Sequence, residues 1–159
     1  MIYVVGHRGA AGVLPENTLR GFRYAIELGV NYVECDVHLT RDDRLVVIHD
    51  KKVDRTTNGV GYIRDLDFAA VRALDAGEGE PVPTLDEVLE TVRSNVKLLC
   101  ELKGEGVEDA AVDAVLARDR VFELRSLNSG RGTHDLHFLV LGEMVHDDLE
   151  HEAVELRLR

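Results

Sequence analysis

Side chains that could perform acid-base and metal chemistry follow three short apolar runs in the first fifty residues. His7 and Arg8 follow the first run. Glu34 and Asp36 lie near the end of the second, and His49 follows the third. Because α/β proteins keep their functional groups at strand ends, we expect these side chains to converge on one rim of a sheet. Two imidazoles, two carboxylates and a guanidinium on one rim favour metal-assisted hydrolysis of a phosphoester.

Three of the carboxylates have the spacing of a cation site. Glu34 and Asp36 are two residues apart in a strand-like run, so their side chains share a face. Glu101 ends another such run, and Lys103 follows two residues later on the same face. Three hard oxygen ligands suit Mg²⁺ or Ca²⁺. Acidic pairs are also common on solvated strand faces, so the spacing alone leaves a plain surface role open.

The two histidines are candidates for acid-base catalysis. Imidazole has a pKa near 6.5, so it can take and give a proton near neutral pH. A buried structural histidine is the alternative for each one taken alone. His7 and His49 lie at matching strand ends, each beside a charged residue, and this pairing favours catalysis.

Two cations and one amide are candidates for binding a phosphate. Arg8 offers a bidentate fork, and Lys103 offers a second point charge. A surface salt bridge is the alternative for both. Asn17 lies where a loop meets a helix, so its side chain either caps that helix or reaches the site, and the local pattern favours the cap.

Composition limits the classes of partner. The chain has 159 residues, about one domain, and a formal net charge of −11 from 30 acidic and 19 basic residues. Such a charge repels a phosphate backbone, so we expect no nucleic-acid partner. An anionic substrate needs local positive charge at the site. No apolar run approaches the roughly 20 residues of a membrane span and no signal core is present, so we expect no stable membrane insertion and a cytoplasmic location.

The two cysteines lie in strand-like runs, each directly before a candidate ligand. Cys35 precedes Asp36, and Cys100 precedes Glu101. Because side chains alternate along a strand, both thiols should face away from the carboxylates. We interpret them as buried, reduced core residues rather than a disulfide or a catalytic pair.

Strand-like and helix-like segments alternate along the chain, which predicts βαβ units and a parallel sheet or barrel. The link from Asp36 to Leu45 is too short for a helical crossover, so spacing alone predicts a hairpin there. Thr84 and Glu87 have the spacing of a capping box. Strands are predicted over 2–6, 30–37, 45–48 and 96–102, and helices from Pro15-Glu16-Asn17-Thr18 to Gly29, over 66–74, from Thr84, and over 107–116.

Six motifs, in this order and spacing, resemble the glycerophosphodiester phosphodiesterase family, and the resemblance covers roughly residues 2–118. These motifs are His7-Arg8-Gly9, Pro15-Glu16-Asn17-Thr18, Glu34-Cys35-Asp36-Val37-His38-Leu39-Thr40, Val47-Ile48-His49-Asp50, Arg55-Thr56-Thr57-Asn58-Gly59 and Glu101-Leu102-Lys103.

The resemblance implies a TIM-type barrel with a defined site. Carboxylates matching Glu34, Asp36 and Glu101 would hold a divalent cation, Mg²⁺ or Ca²⁺. His7 and His49 would perform acid-base catalysis. The phosphate would be bound by Arg8 and Lys103, with Asn17 as a further candidate. The implied reaction, part of lipid metabolism, is hydrolysis of small glycerophosphodiesters, such as deacylated phospholipids, to glycerol 3-phosphate and an alcohol.

The chain is short for such a barrel, which usually takes about 250 residues. We expect one domain over 1–159, an α/β, TIM-barrel-like fold comprising about half a barrel (1–118) and a divergent tail (119–159). The tail is either a real ending or the product of a frameshift. A strand over 133–141 and a charged helix over 147–158 are predicted in it.

Four tail residues could suggest a second metal site, although a solvated segment is favoured. They are His134, Asp135, His137 and His146.

Half a barrel leaves strand edges unpaired. Either the tail covers them or a second copy does, so a homodimer is one expectation. The missing walls also keep open a catalytically silent module that retains the cation or phosphate site. A third hypothesis keeps the chemistry but changes the substrate to an inositol phospholipid or lysophospholipid, cleaved through a cyclic phosphate.

Overall fold

The computed structural model describes residues 3–92, 96–104, 106–117, 122–127, 136–141 and 153–156. These ranges contain four helices and seven strands. The helices are α1 Leu19–Glu27, α2 Phe68–Arg72, α3 Leu85–Thr91 and α4 Val107–Leu116. The strands are β1 Tyr3–Gly6, β2 Tyr32–Leu39, β3 Leu45–Val47, β4 Lys97–Leu102, β5 Phe122–Leu127, β6 Leu136–Leu141 and β7 Ala153–Leu156.

The strands form one mixed sheet in the order β5-β6-β4-β2-β1-β7, with β3 paired to the end of β2. The neighbours β7, β1, β2 and β4 are parallel, as predicted from the alternating pattern. β2 and β3 form the antiparallel hairpin that the short link requires. β6 is antiparallel to both β4 and β5, so the sheet as a whole is not purely parallel.

Two helices begin at hydroxyl caps. The Thr18 side chain accepts a hydrogen bond from the Gly21 N–H at 3.1 Å, and Thr84 with Glu87 forms the predicted capping box. The prediction that Asn17 caps α1 is wrong. Asn17 precedes the cap with a left-handed φ of 55°. Its side chain is therefore available for the interior of the protein.

The helix predicted over 66–74 is shorter than expected. A 3₁₀ turn at Ile63–Asp65 comes first, and α2 begins only at Phe68. Leu66 is extended because its carbonyl accepts a hydrogen bond from the Arg41 N–H at 2.9 Å. This long-range bond prevents a helical turn at that point.

Two apolar clusters hold the helices and loops on the sheet. The first packs α1, α3 and α4 against β2 and β4, with Phe22 and Leu85 fully buried. The second lies under the segment after β3 and includes Val53 and Ile63. Burial of each large apolar side chain contributes roughly 1.5–3 kcal/mol. Because both clusters underlie the loops that follow the strands, they fix the positions of those loops.

The cysteine prediction is confirmed: Cys35 and Cys100 are buried and free. They are paired in register across β2 and β4, and Cys35 belongs to the core cluster. Burial and the neighbouring thiol raise the pKa of Cys35 well above its ordinary value, the hydrogen bond with Cys100 being the largest cause. Cys35 therefore packs as a thiol.

The carboxyl-terminal strands differ from the predicted tail. β6 lies within the strand predicted over 133–141, whereas β5 was not predicted. The predicted helix over 147–158 is wrong at 153–156, where β7 pairs with the exposed edge of β1. The side chains of His134, Asp135, His137 and His146 lie outside the described residues. None of the described helices is long and apolar enough to cross a bilayer.

Candidate active site

Three acidic side chains meet on one face of the sheet. Glu34 and Asp36 project from β2, and Glu101 on β4 is paired in register with Asp36. One oxygen from each of the three carboxylates lies within 4.8 Å of the others. We call Glu34, Asp36 and Glu101 the carboxylate triad. The two-residue period of the strands and their parallel register bring these acids together, as the spacing predicted.

Glu34 and Asp36 are buried and Glu101 is half-buried, so three carboxylates lie close together with two cations beside them. Burial, followed by repulsion from Asp36, raises the pKa of Glu34 to about 8. Oε1 of Glu34 and Oδ1 of Asp36 are buried and accept no hydrogen bond. Buried polar oxygens without a partner are costly. A hard divalent cation fits this donor set, because it would satisfy both oxygens and offset the charge.

A tight turn after β1 brings His7 and Arg8 to the triad. The Arg8 N–H donates to Oε2 of Glu34 at 2.9 Å, and Nε2 of His7 lies 3.7 Å from the same oxygen. Arg8 and Gly9 both have positive φ, 51° and 76°. A Cβ at Gly9 would lie 2.8 Å from the backbone of Gly21, so glycine is required there.

The two predicted phosphate-binding cations both reach the triad. Nε of Arg8 lies 3.4 Å from Oδ2 of Asp36, and its Nη1 donates to Glu16 at 3.2 Å. Nζ of Lys103 lies 3.3 Å from Oδ1 of Asp36 and donates to Glu101. Both cations therefore border the place where an anionic substrate would meet the carboxylates.

Asn17 is buried against Asp36 rather than at the helix end. Its Nδ2 donates to Oδ2 of Asp36 at 2.9 Å, and its N–H donates to the Arg8 carbonyl at 3.0 Å. Asn17 thus orients a triad carboxylate and the turn that carries Arg8.

His49 lies just beyond β3 and is oriented by its neighbours. Its Nδ1 is 2.6 Å from Oδ1 of Asp50, and its carbonyl accepts a hydrogen bond from Nε2 of His38 at 3.0 Å. Hydrogen bonds from Arg55 and His49 hold the pKa of Asp50 well below its ordinary value. An ionised Asp50 accepts the proton on Nδ1, which leaves Nε2 of His49 as the reactive nitrogen.

Arg55 links this histidine to the turn after β1. Its guanidinium donates to Glu16 at 2.7 and 2.9 Å, and to Asp50 at 2.7 and 3.0 Å. Glu16 also accepts from Arg8. We call Glu16, Asp50 and Arg55 the Arg55 bridge. Sequence reasoning gave these residues no role, although the adjacency of Asp50 to His49 was an available signal.

A cavity of about 1000 Å³ opens beside these groups. His49, Glu101 and Lys103 lie on its wall, together with His38 and Asp50. Ligand sites commonly have volumes of roughly 300–1000 Å³. The predicted catalytic base, one triad carboxylate and one phosphate-binding cation thus share a space large enough for a small phosphodiester.

Residues 7–135 match the family model of the glycerophosphoryl diester phosphodiesterase family. The chain belongs to this family. The matched region includes all eight residues predicted for the site, and it also includes the three residues of the Arg55 bridge.

Relatives of this phosphodiesterase-family chain are longer than it is, and several of them are named glycerophosphodiester phosphodiesterases. It is 39% identical over 146 residues to a glycerophosphodiester phosphodiesterase of Caldanaerobacter subterraneus, covering 84% of this chain and 59% of that one. A glycerophosphodiester phosphodiesterase structure from Agrobacterium tumefaciens matches with a TM-score of 0.69 and 38% identity. That match covers 74% of this chain and 53% of the other.

A phosphodiesterase from Oleispira antarctica, solved in complex with sn-glycerol-3-phosphate, matches with a TM-score of 0.68 and 37% identity. The match covers 72% of this chain and 51% of that one. The predicted fold class is thus confirmed: the chain shares the fold of TIM-barrel enzymes over about three quarters of its length. It spans about half the length of these relatives.

Proposed function

We propose that this chain hydrolyses glycerophosphodiesters to glycerol 3-phosphate and an alcohol, with Mg²⁺ or Ca²⁺ as cofactor. The observation that carries this proposal is the carboxylate triad, which has two buried oxygens without a hydrogen bond and lies among two histidines and two cations. Family membership adds support, as does the Oleispira enzyme that holds sn-glycerol-3-phosphate. The substrate is therefore a small molecule with a phosphodiester group.

The triad is where the divalent cation would be held. Bound there, the cation would polarise the phosphoryl group and offset the charge of the carboxylates. Asn17 keeps Asp36 in position through its amide hydrogen bond. Arg8 and Lys103 orient the phosphate from two sides, with the guanidinium as a fork and the ammonium as a point charge.

Proton transfer is the role of the two imidazoles. One takes a proton from the attacking oxygen, and the other gives a proton to the oxygen of the leaving alcohol. His49 is prepared for either step because Asp50 fixes its tautomer. His7 reaches the same site from β1, next to Glu34.

A direct assay tests the proposal. Purified chain is incubated with glycerophosphocholine and Mg²⁺ or Ca²⁺, and released glycerol 3-phosphate is measured. Release that requires the metal and both histidines is expected, whereas no release from folded protein with either metal would overturn the proposal. Phosphorus NMR of the products distinguishes direct hydrolysis from a route through a cyclic phosphate.

Assembly and location are also part of the proposal. The described sheet ends in β5 on one side and β7 on the other, so two strand edges remain for pairing. We propose one domain over 1–159 that forms a homodimer through such an edge in the cytoplasm. Light scattering should give a mass near twice 17.7 kDa, whereas a monomer that unfolds cooperatively would refute the dimer.

A further inference from the structure

Two lysines and a tyrosine form an exposed feature on the wall of the active-site cavity. Lys51 and Lys52 directly follow His49 and Asp50, and Tyr62 lies beside them on the same wall. Nζ of Lys52 is 4.6 Å from the centre of the Tyr62 ring, and Nζ of Lys51 is 5.9 Å from it. We call Lys51, Lys52 and Tyr62 the lysine-tyrosine platform.

The backbone fixes the position of the lysine-tyrosine platform. Lys52 and Tyr62 form an antiparallel bridge. The Ile63 N–H donates to the Lys51 carbonyl, and the Val53 N–H donates to the Gly61 carbonyl, both at 3.0 Å. Val53 and Ile63 are buried in the core cluster below. The platform is therefore part of a folded ribbon, even though its ammonium groups are exposed.

Most charges on the cavity wall are neutralised by a partner. Arg55 pairs with Asp50, and Lys103 pairs with Glu101. Arg64 pairs with Asp43 at 2.6 Å.

The contacts of the two platform lysines differ from those of Arg55, Arg64 and Lys103. Within the described ranges, neither Lys51 nor Lys52 has a carboxylate partner at ion-pair distance, and the Tyr62 ring is their contact. Contact with a ring face leaves ammonium N–H groups free to donate elsewhere. In a protein with a net charge of −11, this wall is a local patch of positive charge.

We propose that the lysine-tyrosine platform is a subsite for a leaving alcohol that carries its own negative charge, such as a second phosphate. The inference rests on the proposed function and names the class of substrate. Lys51 is two residues from His49, so their Cα atoms are at most about 7 Å apart. A group leaving the phosphate near His49 therefore lies within reach of the platform. An anionic group would pair with the lysines, whereas a quaternary ammonium would be repelled by them.

Three substrates with one glycerophosphate half test the preference. Glycerophosphoinositol 4-phosphate has an anionic leaving group, glycerophosphoglycerol a neutral one and glycerophosphocholine a cationic one. We expect kcat/KM to be highest for the anionic substrate, roughly tenfold above the neutral one, with the advantage reduced by added salt. Equal kcat/KM values for all three would overturn the inference but leave the proposed function standing.

Two double variants separate a local effect from the effect of net charge. In Lys51→Ala/Lys52→Ala, the anionic substrate should lose its advantage. Arg20→Ala/Arg23→Ala removes the same charge from exposed positions on α1 that do not line this cavity, and it should keep the advantage. Loss of the advantage in both variants would refute a local subsite.

A binding measurement tests the platform without turnover. Calorimetric titration with inositol 4-phosphate should show weaker binding to Lys51→Ala/Lys52→Ala than to the unmodified chain, and equal Kd values would overturn the inference. If no substrate releases glycerol 3-phosphate, the proposed function fails and this titration decides the subsite alone.

Discussion

The carboxylate triad and the Arg55 bridge are joined by Arg8, which contacts Asp36 in one and Glu16 in the other. In the triad, three acids crowd together in the protein interior and the pKa of Glu34 rises to about 8, chiefly through burial. In the bridge, one guanidinium makes four hydrogen bonds to two carboxylates. The triad leaves two buried carboxylate oxygens without a hydrogen bond, whereas each of the four carboxylate oxygens in the bridge accepts one from Arg55.

This difference indicates two ways in which a fold uses acidic residues. A buried carboxylate without a partner is unstable alone and gains most from a cation, so it suits binding. A carboxylate satisfied by an arginine fork has a fixed orientation, so it suits positioning. His7 contacts the first kind of region, and His49 is oriented by the second.

The largest expected effect comes from removing the histidine held by each region. His7→Ala and His49→Ala should each lower kcat by roughly 10²- to 10⁴-fold, because each imidazole transfers a proton in the proposed mechanism. Their side chains are 23% and 30% exposed, so the melting temperatures should change little. Steady-state kinetics and thermal melts check this. Full activity in either variant would remove that histidine from the mechanism.

The second-largest expected effect is that of metal removal, which should distinguish the carboxylate triad from the Arg55 bridge. A chelator is expected to lower the melting temperature and excess Mg²⁺ or Ca²⁺ to restore it, since a ligand at 100 times its Kd stabilises by about 2.7 kcal/mol. Glu34→Gln should lose most of this metal-dependent shift, whereas Asp50→Asn should retain it. Scanning calorimetry of the three proteins, with and without metal, measures the shift. Equal loss in both variants would contradict a cation site confined to the triad.

Removal of the Arg55 guanidinium should lower kcat and stability without affecting metal binding. Arg55→Ala leaves Glu16 and Asp50 without their fork, so we expect unfolding to cost about 1–3 kcal/mol less and kcat to fall roughly tenfold. Arg55→Lys restores the charge but not the fork, so it should recover only part of kcat. Denaturant titration and kinetics measure both effects. A large drop in metal affinity in Arg55→Ala would show that the two regions are not separable.

The last effects concern protons, and they have opposite signs in the two regions. Burial raises the pKa of Glu34 to about 8, so the metal-free protein should lose stability as the pH rises from about 4.5 to 8. Glu34→Gln should flatten this slope. The pKa of Asp50 is lowered by Arg55, so its contribution is present above its ordinary pKa of 3.8 and is lost at lower pH. Urea titrations between about pH 4.5 and 8 test the sign for Glu34, and titrations continued below about pH 4 test the sign for Asp50.

Proton release gives a second measure of the Glu34 pKa. At pH 7 a carboxyl with a pKa of about 8 is mostly protonated, so a cation that binds it should release close to one proton. Calorimetry of metal binding in two buffers with different ionisation enthalpies gives the number of protons released. No release at pH 7 would mean that Glu34 is already ionised without the cation.

Features that depend only on residues close together in the chain were predictable from the sequence. The strand period of two placed Glu34 and Asp36 on one face, and the capping box at Thr84 formed as its spacing indicated. Predictions from the local pattern were wrong at Asn17 and at Leu66, because each forms a hydrogen bond with a residue far away in the chain. Asp36 takes the amide of Asn17, and Arg41 takes the carbonyl of Leu66.

The amino-acid sequence by itself predicted the alternation of strands and helices, and it placed seven of the eight candidate site residues, all except Asn17, in or just after strands, since these features follow from side-chain period and motif order. Only the tertiary structure decided how the charges are balanced. Arg55 and Glu16 are 39 residues apart, and no local pattern shows that they meet. The register of β2 with β4 brings the triad together, and burial leaves two of its oxygens without a hydrogen bond. Burial and long-range pairing are properties of the packed chain, and they separate the buried carboxylate triad, where we propose that a cation binds, from a bridge that orients a histidine.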